Sequence, residues 1–129
     1  MRYGMIALLL AFSSALAANE VRILNVNLDQ RGYEWSASVT LKHADSGWDH
    51  YADAWRFVTP DGTEFARRTL WHPHVDEQPF TRSLSGIVIP KGVKVFFVEA
   101  HDKVHGWSKD RVRIDLAKPK GPRYRIRTR

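Results

Sequence analysis

The strongest constraint on the fold is the alternation between Tyr33 and Leu41. Tyr33, Trp35, Ala37, Val39 and Leu41 fall on one side, and Glu34, Ser36, Ser38 and Thr40 on the other. Successive side chains of an extended chain point to opposite faces. This period therefore predicts a strand with one face on a core and one in water.

Six weaker runs share the period. Val21, Ile23 and Val26 mark Glu20 to Leu28 with an imperfect alternation, Trp55 and Phe57 mark Ala52 to Thr59, and Phe65 marks Thr63 to Trp71. Phe80, Leu84 and Val88 mark Phe80 to Ile89, and Phe96, Val98 and Ala100 mark Val93 to His101. In the last run Val112, Ile114 and Leu116 alternate with Arg111, Arg113 and Asp115. Asp29-Gln30-Arg31-Gly32, Pro60-Asp61-Gly62 and Pro90-Lys91-Gly92 are turn sequences, and no window carries a helical period. Seven short strands at a spacing of roughly 8–12 residues predict an all-β, immunoglobulin- or fibronectin type III-like antiparallel sandwich; a small β-barrel is the alternative.

The ends read differently from the middle. Arg2, the apolar stretch Ile6 to Phe12 and Ala15-Leu16-Ala17 form the three parts of a secretory signal peptide over residues 1–18. The apolar stretch is too short to span a bilayer, which needs roughly 20 residues. The expected location is periplasmic or secreted, and the chain is not transmembrane after cleavage. With no cysteine, thiolate chemistry and disulfides are excluded. Residues 19–117 are the expected sandwich domain. Net charge is +6, and the last twelve residues hold Lys118, Lys120, Arg123, Arg125, Arg127 and Arg129 with no acid. Residues 118–129 are therefore expected as a disordered basic tail. Its partner would be an anionic cell-envelope surface rather than nucleic acid, which an exported chain seldom meets.

Strand parity sorts the loops to two ends. The short turns lie at one end. The connections following Leu41, Trp71 and His101 lie at the other, and they hold all six histidines: His43, His50, His72, His74, His101 and His105. Trp48, Trp71 and Trp107 go with them, as do Asp49, Asp76, Glu77 and Asp102. Loops held by a rigid scaffold are where sites are usually built. In His72-Pro73-His74 the proline favours extended backbone, which turns both imidazoles the same way. His50, His72, His74, His105 and Asp102 form the expected ligand set for copper or zinc, since imidazole suits both metals. His101 shares a phase with Glu99 and His43 sits at a strand exit, so both rank below that set. For any one histidine alone, hydrogen bonding that shapes a loop is the commoner role.

Gly47-Trp48-Asp49-His50-Tyr51-Ala52-Asp53, the run His72-Pro73-His74-Val75-Asp76-Glu77-Gln78-Pro79-Phe80-Thr81-Arg82-Ser83-Leu84, and Asp102 with His105-Gly106 resemble a family of small exported bacterial proteins of unassigned function. The resemblance covers most of the chain and leaves out the basic end. It implies a shared exported domain and brings no activity, substrate or cofactor. It runs through His50, His72, His74 and His105.

Catalytic signatures are missing. There is no G-x-S-x-G, Walker loop or G-x-G-x-x-G, and the adjacent Asp76 and Glu77 diverge on extended chain. The expected function is non-enzymatic binding of a transition metal. The alternative is a metal-independent module that presents Trp48, Tyr51, Trp71 and Trp107 to a sugar, peptide or protein of the cell envelope.

Overall fold

The computed structural model describes residues 20–129, so the expected signal peptide lies outside the described residues. Nine strands form two sheets: β1 (Arg22–Arg31), β2 (Glu34–Lys42), β3 (Ala52–Val58), β4 (Glu64–Thr69), β5 (Phe80–Ile87), β6 (Val95–Asp102), β7 (Gly106–Asp115), β8 (Lys120–Gly121) and β9 (Tyr124–Thr128). One sheet has the order β5-β2-β1-β9-β8 and the other β4-β3-β6-β7. Neither closes on itself, so the architecture is a sandwich and not the barrel alternative. Among the described residues no helix is long and apolar enough to cross a membrane.

The period of two in β2 does what its composition dictates. Trp35, Ala37, Val39 and Leu41 are buried, while Ser36, Ser38 and Thr40 face outward. Facing them across the sandwich are Trp55 and Phe57 of β3 and Phe96, Val98 and Ala100 of β6, each fully shielded from water. Phe57 and Phe96 meet at 4.9 Å between ring centroids, and Phe65 stands edge-on to both. Tyr33 departs from the expected strand; it is 82% exposed in the β1–β2 turn.

Two boundaries move. β7 begins at Gly106, so only Lys103, Val104 and His105 separate it from β6. Trp107 consequently lies on a strand. Its ring packs on the sheet's outer face beneath the Arg56 guanidinium, 3.7 Å from the ring centroid, and is no part of a loop platform.

The second correction concerns residues 118–129, expected as a disordered tail. They form β8 and β9, and β9 lies parallel to β1, with Val26 opposite Tyr124 and Leu28 opposite Ile126. Tyr124 and Ile126 face the core while Arg125 and Arg127 face water. The Tyr124 hydroxyl lies 3.1 Å from the carbonyls of both Asp115 and Lys118, which share its single proton. Arg123 bridges to Asp110 at 3.0 Å and Arg129 to Asp29 at 3.2 Å. The segment thus supplies core side chains and ion pairs, which its basic composition hides.

That docking is testable. Tyr124→Ala should cost about 3–5 kcal/mol in urea unfolding, the range for deleting a buried aromatic. Gly121→Ala should also destabilise, because its Cβ would lie 2.2 Å from the Tyr124 ring. A change below about 0.5 kcal/mol, as for an ordinary surface site, would show the segment to be undocked.

Candidate functional site

The inward phase of β2 does not stop at Leu41. It continues through His43 to Asp45, and both are buried, at 3% and 6% exposure. The inward phase of β6 likewise continues from Ala100 to Asp102, which is 1% exposed. An apolar core thereby ends, at the loop end of the sandwich, in a polar layer. A register shift between Ala52 and Ala54 in the β3–β6 pairing adds one residue there. It lets His50 and Ala52 share the inward phase ahead of Trp55.

Two carboxylates face the His43 ring from opposite sides. Asp45 Oδ1 is 2.5 Å from Nδ1, and Asp102 Oδ2 is 3.7 Å from Nε2. His50 Nε2 lies 3.2 Å from Asp102 Oδ1, without hydrogen-bond geometry, and has no hydrogen-bond partner among the described residues. The His43 and His50 rings meet edge to face at 4.7 Å, and His50 and His105 are 5.1 Å apart. One donor atom from each of His43, His50 and Asp102 can be chosen so that all lie within 4.8 Å of one another.

Both carboxylates are fixed by backbone. Asp102 Oδ1 accepts from the N–H groups of Val104 at 2.9 Å and His105 at 2.7 Å, which shapes the β6–β7 turn. Gly106 closes that turn at φ +79°, a conformation that disfavours residues with a Cβ. His105 Nδ1 lies 3.1 and 3.2 Å from the two Asp102 oxygens. Burial pushes the Asp102 carboxyl up, but the N–H groups of His105 and Val104 and the nearby imidazoles hold it below its ordinary value. Burial likewise opposes ionisation of Asp45. Hydrogen bonds from His43 and from the N–H groups of His74 and Ala52 outweigh it and hold that carboxyl low as well. The layer therefore contains two ionised carboxylates removed from water.

The structure brings together three of the five expected ligands: His50, Asp102 and His105. It sets His72 and His74 apart. His74 is buried, but its ring stacks on Phe80 at 4.0 Å, and its N–H donates to Asp45 Oδ2 at 2.7 Å. The guanidinium of Arg82 can only donate, so His74 Nε2 accepts from it at 2.9 Å and the ring proton sits on Nδ1. Burial, then the charges of Arg82 and His72, push its pKa down. Nε2 is thus taken by Arg82, while Nδ1 is buried 4.0 Å from Asp45 Oδ2 with no hydrogen-bond partner among the described residues. His72 is exposed and contacts the His74 ring and the Pro73 carbonyl. The i, i+2 geometry holds, yet the loop uses His74 as a brace. His101 points outward to Asp53 at 2.5 Å and packs on Trp107.

Sequence reasoning ranks His43 below the expected ligands and does not single out Asp45 as a site residue. The signal was available, because both stand in phase with Trp35, Ala37, Val39 and Leu41. A polar residue extending an apolar period at a loop end is a candidate for the core's polar cap.

No family model matches the chain. It is 38% identical over 104 residues to a protein of Halomicrobium mukohataei whose name is "Putative lipoprotein". That alignment takes in 80% of this chain and 51% of the relative, so the chain spans about half the length of the curated relative it matches. A crystal structure of a DUF3823 family protein from Bacteroides ovatus is similar at a TM-score of 0.46 and 14% identity, over 74% of this chain and 55% of that one. A likeness at that level carries no argument about function.

The carboxylates set a pH dependence. A group whose folded pKa is depressed contributes stability above its unfolded value and loses it as pH falls through the folded one. Asp45 and Asp102 are depressed from an ordinary 3.8, so stability should hold above about pH 4 and decline below it. Asp45→Ala should cost roughly 3–5 kcal/mol at neutral pH, as for a broken buried pair, and should flatten the acid limb of the urea-unfolding profile. An unchanged acid limb in that variant would contradict the assignment.

Proposed function

We propose that this chain is an exported, non-enzymatic protein that holds a transition metal, zinc or copper, between His43, His50 and Asp102, with His105 in reserve beside Asp102. The observation that carries this reading is the arrangement around His43. Asp45 Oδ1 lies against Nδ1 and Asp102 Oδ2 lies 3.7 Å from Nε2 of the same ring, and one donor from each of His43, His50 and Asp102 falls within 4.8 Å of the others. A carboxylate on the far nitrogen of a metal-binding imidazole is the usual way to fix its tautomer and orientation. Two ionised carboxylates in a water-poor layer also call for a cation. Two imidazoles and one carboxylate with an open position suit zinc, and mixed nitrogen and oxygen donors also suit copper(II). Sequestration or delivery fits better than catalysis, since the layer is nearly closed to solvent. The relative's name speaks of a lipoprotein, which supports a cell-envelope setting.

A second reading has one observation in its favour. Trp48 and Trp71 are 66% and 75% exposed at the same end. Exposed aromatics suit a metal-independent module for an envelope sugar, peptide or protein. In that case His43 carries a second proton between Asp45 and Asp102 and merely caps the core.

Calorimetric titration of the full chain with Zn2+ and Cu2+ separates the two. One ion per chain is expected. His43→Ala, His50→Ala and Asp102→Asn should each weaken binding by about 100-fold or more, and Asp45→Asn by about 10–100-fold. His72→Ala should leave it unchanged. Affinity should fall as pH is lowered, because the imidazoles must give up their protons. Absence of binding, or binding lost only with His72 and His74, would overturn the proposal.

A further inference from the structure

The outer face of the five-stranded sheet, at the side formed by β9, is unaccounted for by the metal reading. Register lays its side chains in rows across the strands. Lys120, Arg125, Asn27, Ser38 and Ser83 form one row, through the pairings of β8 with β9, β9 with β1, β1 with β2 and β2 with β5. Arg127, Asp29 and Ser36 form the next. Asn25, Thr40 and Thr81 form the row on the other side. The face is thus hydroxyl and amide on β1, β2 and β5, and cationic on β8 and β9.

The cations divide by role. Arg123 and Arg129 are spent on Asp110 and Asp29. Lys120, Arg125 and Arg127 are exposed and have no ion-pair partner among the described residues. Asp29, the acid of the face, has both oxygens 3.2 Å from Arg129 Nε. Two shallow depressions of about 290 and 390 Å³ flank the Arg125 and Arg127 side chains and share them with Asn27. One reaches Ser36 and Ser38; the other reaches Lys120. Together they run as a groove across β8, β9, β1 and β2, roughly 14 Å for four strands about 4.8 Å apart.

We propose that this groove binds an acidic polysaccharide, with Lys120, Arg125 and Arg127 on its anionic groups and Asn27, Ser36 and Ser38 on its hydroxyls. Hydroxyl and amide side chains fixed on a rigid sheet match a polyol ligand, because few rotamers are lost on binding. The aromatic residue that lines the groove, Tyr124, is buried, so its ring is not presented for a base to stack on, as a single-stranded nucleic acid needs. Its exposed apolar residues, Pro122 beside the groove and Leu24 on β1, stand singly and make no patch to enter a bilayer, as surface-bound proteins use.

The test is binding of the full chain, in EDTA, to polygalacturonate, with dextran, phosphatidylglycerol vesicles and oligo(dT) in parallel. EDTA keeps the outcome independent of any metal. Binding to polygalacturonate should exceed that to the other three and weaken with salt. Arg125→Gln with Arg127→Gln should reduce it about tenfold or more at low salt and lower the log–log salt slope by about two, one per lost cation. Ser36→Ala with Ser38→Ala should weaken binding severalfold without changing that slope. Of these four side chains only Ser38 has a hydrogen-bond partner among the described residues, the exposed Ser83 hydroxyl at 2.7 Å, so melting temperatures should stay nearly level. If the arginine pair lowers stability, the serine pair decides. No binding, equal binding to oligo(dT) or vesicles, or binding indifferent to the serine pair would overturn the proposal.

Discussion

Asp45 is the point at which the loop end of this sandwich is tied. Its Oδ1 takes the His43 ring at 2.5 Å and the N–H of Ala52, where β3 begins, at 3.0 Å. Its Oδ2 takes the N–H of His74, in the β4–β5 loop, at 2.7 Å. A neutral side chain of this size could not accept all three bonds. Gln78 closes the same circuit from the other side, accepting from the N–H of His43 and donating to the carbonyl of His74. A buried carboxylate with such partners holds its charge. That charge orients His43 and, through the backbone, holds the His74 loop over Phe80.

The polar layer follows from this arrangement. An antiparallel sandwich buries alternate residues, and where the strands end the alternation still points inward. The chain fills those last inward positions with His43, Asp45, His50 and Asp102 rather than apolar residues. Buried ionised groups cost several kcal/mol each unless paired, so a layer of this kind is weak evidence for stability and better evidence for a site. The metal reading and the doubly protonated His43 both satisfy the charges. They differ in whether a metal ion or a proton balances the two carboxylates.

Much of this was legible in the sequence. The period of two in β2 and the glycine and proline turns define the sandwich, and strand parity gathers His43, His50, Asp102 and His105 at one end. What parity cannot give is which residues in a long loop face inward. Spacing turns His72 and His74 together and so favours them as ligands, yet Arg82 and Phe80, eight and six residues on, engage the His74 ring. His43 was set low although it stands in phase with Leu41. The C-terminal strand was hidden by composition: Tyr124 and Ile126 alternate with arginines in the same period of two, but six cations in twelve residues read as disorder.

The central claim is that the cation between Asp45 and Asp102 is a metal ion bound by His43 and His50. Long-range 1H–15N correlation spectra of the imidazoles, recorded with and without zinc, test it most directly. They report the protonation and coordination of each ring nitrogen. The account predicts that zinc moves the Nε2 signals of His43 and His50 to metal-bound positions, while Nδ1 of His43 stays protonated toward Asp45 and the rings of His72, His74 and His101 are unaffected. A His43 ring that carries protons on both nitrogens and ignores added zinc would contradict it.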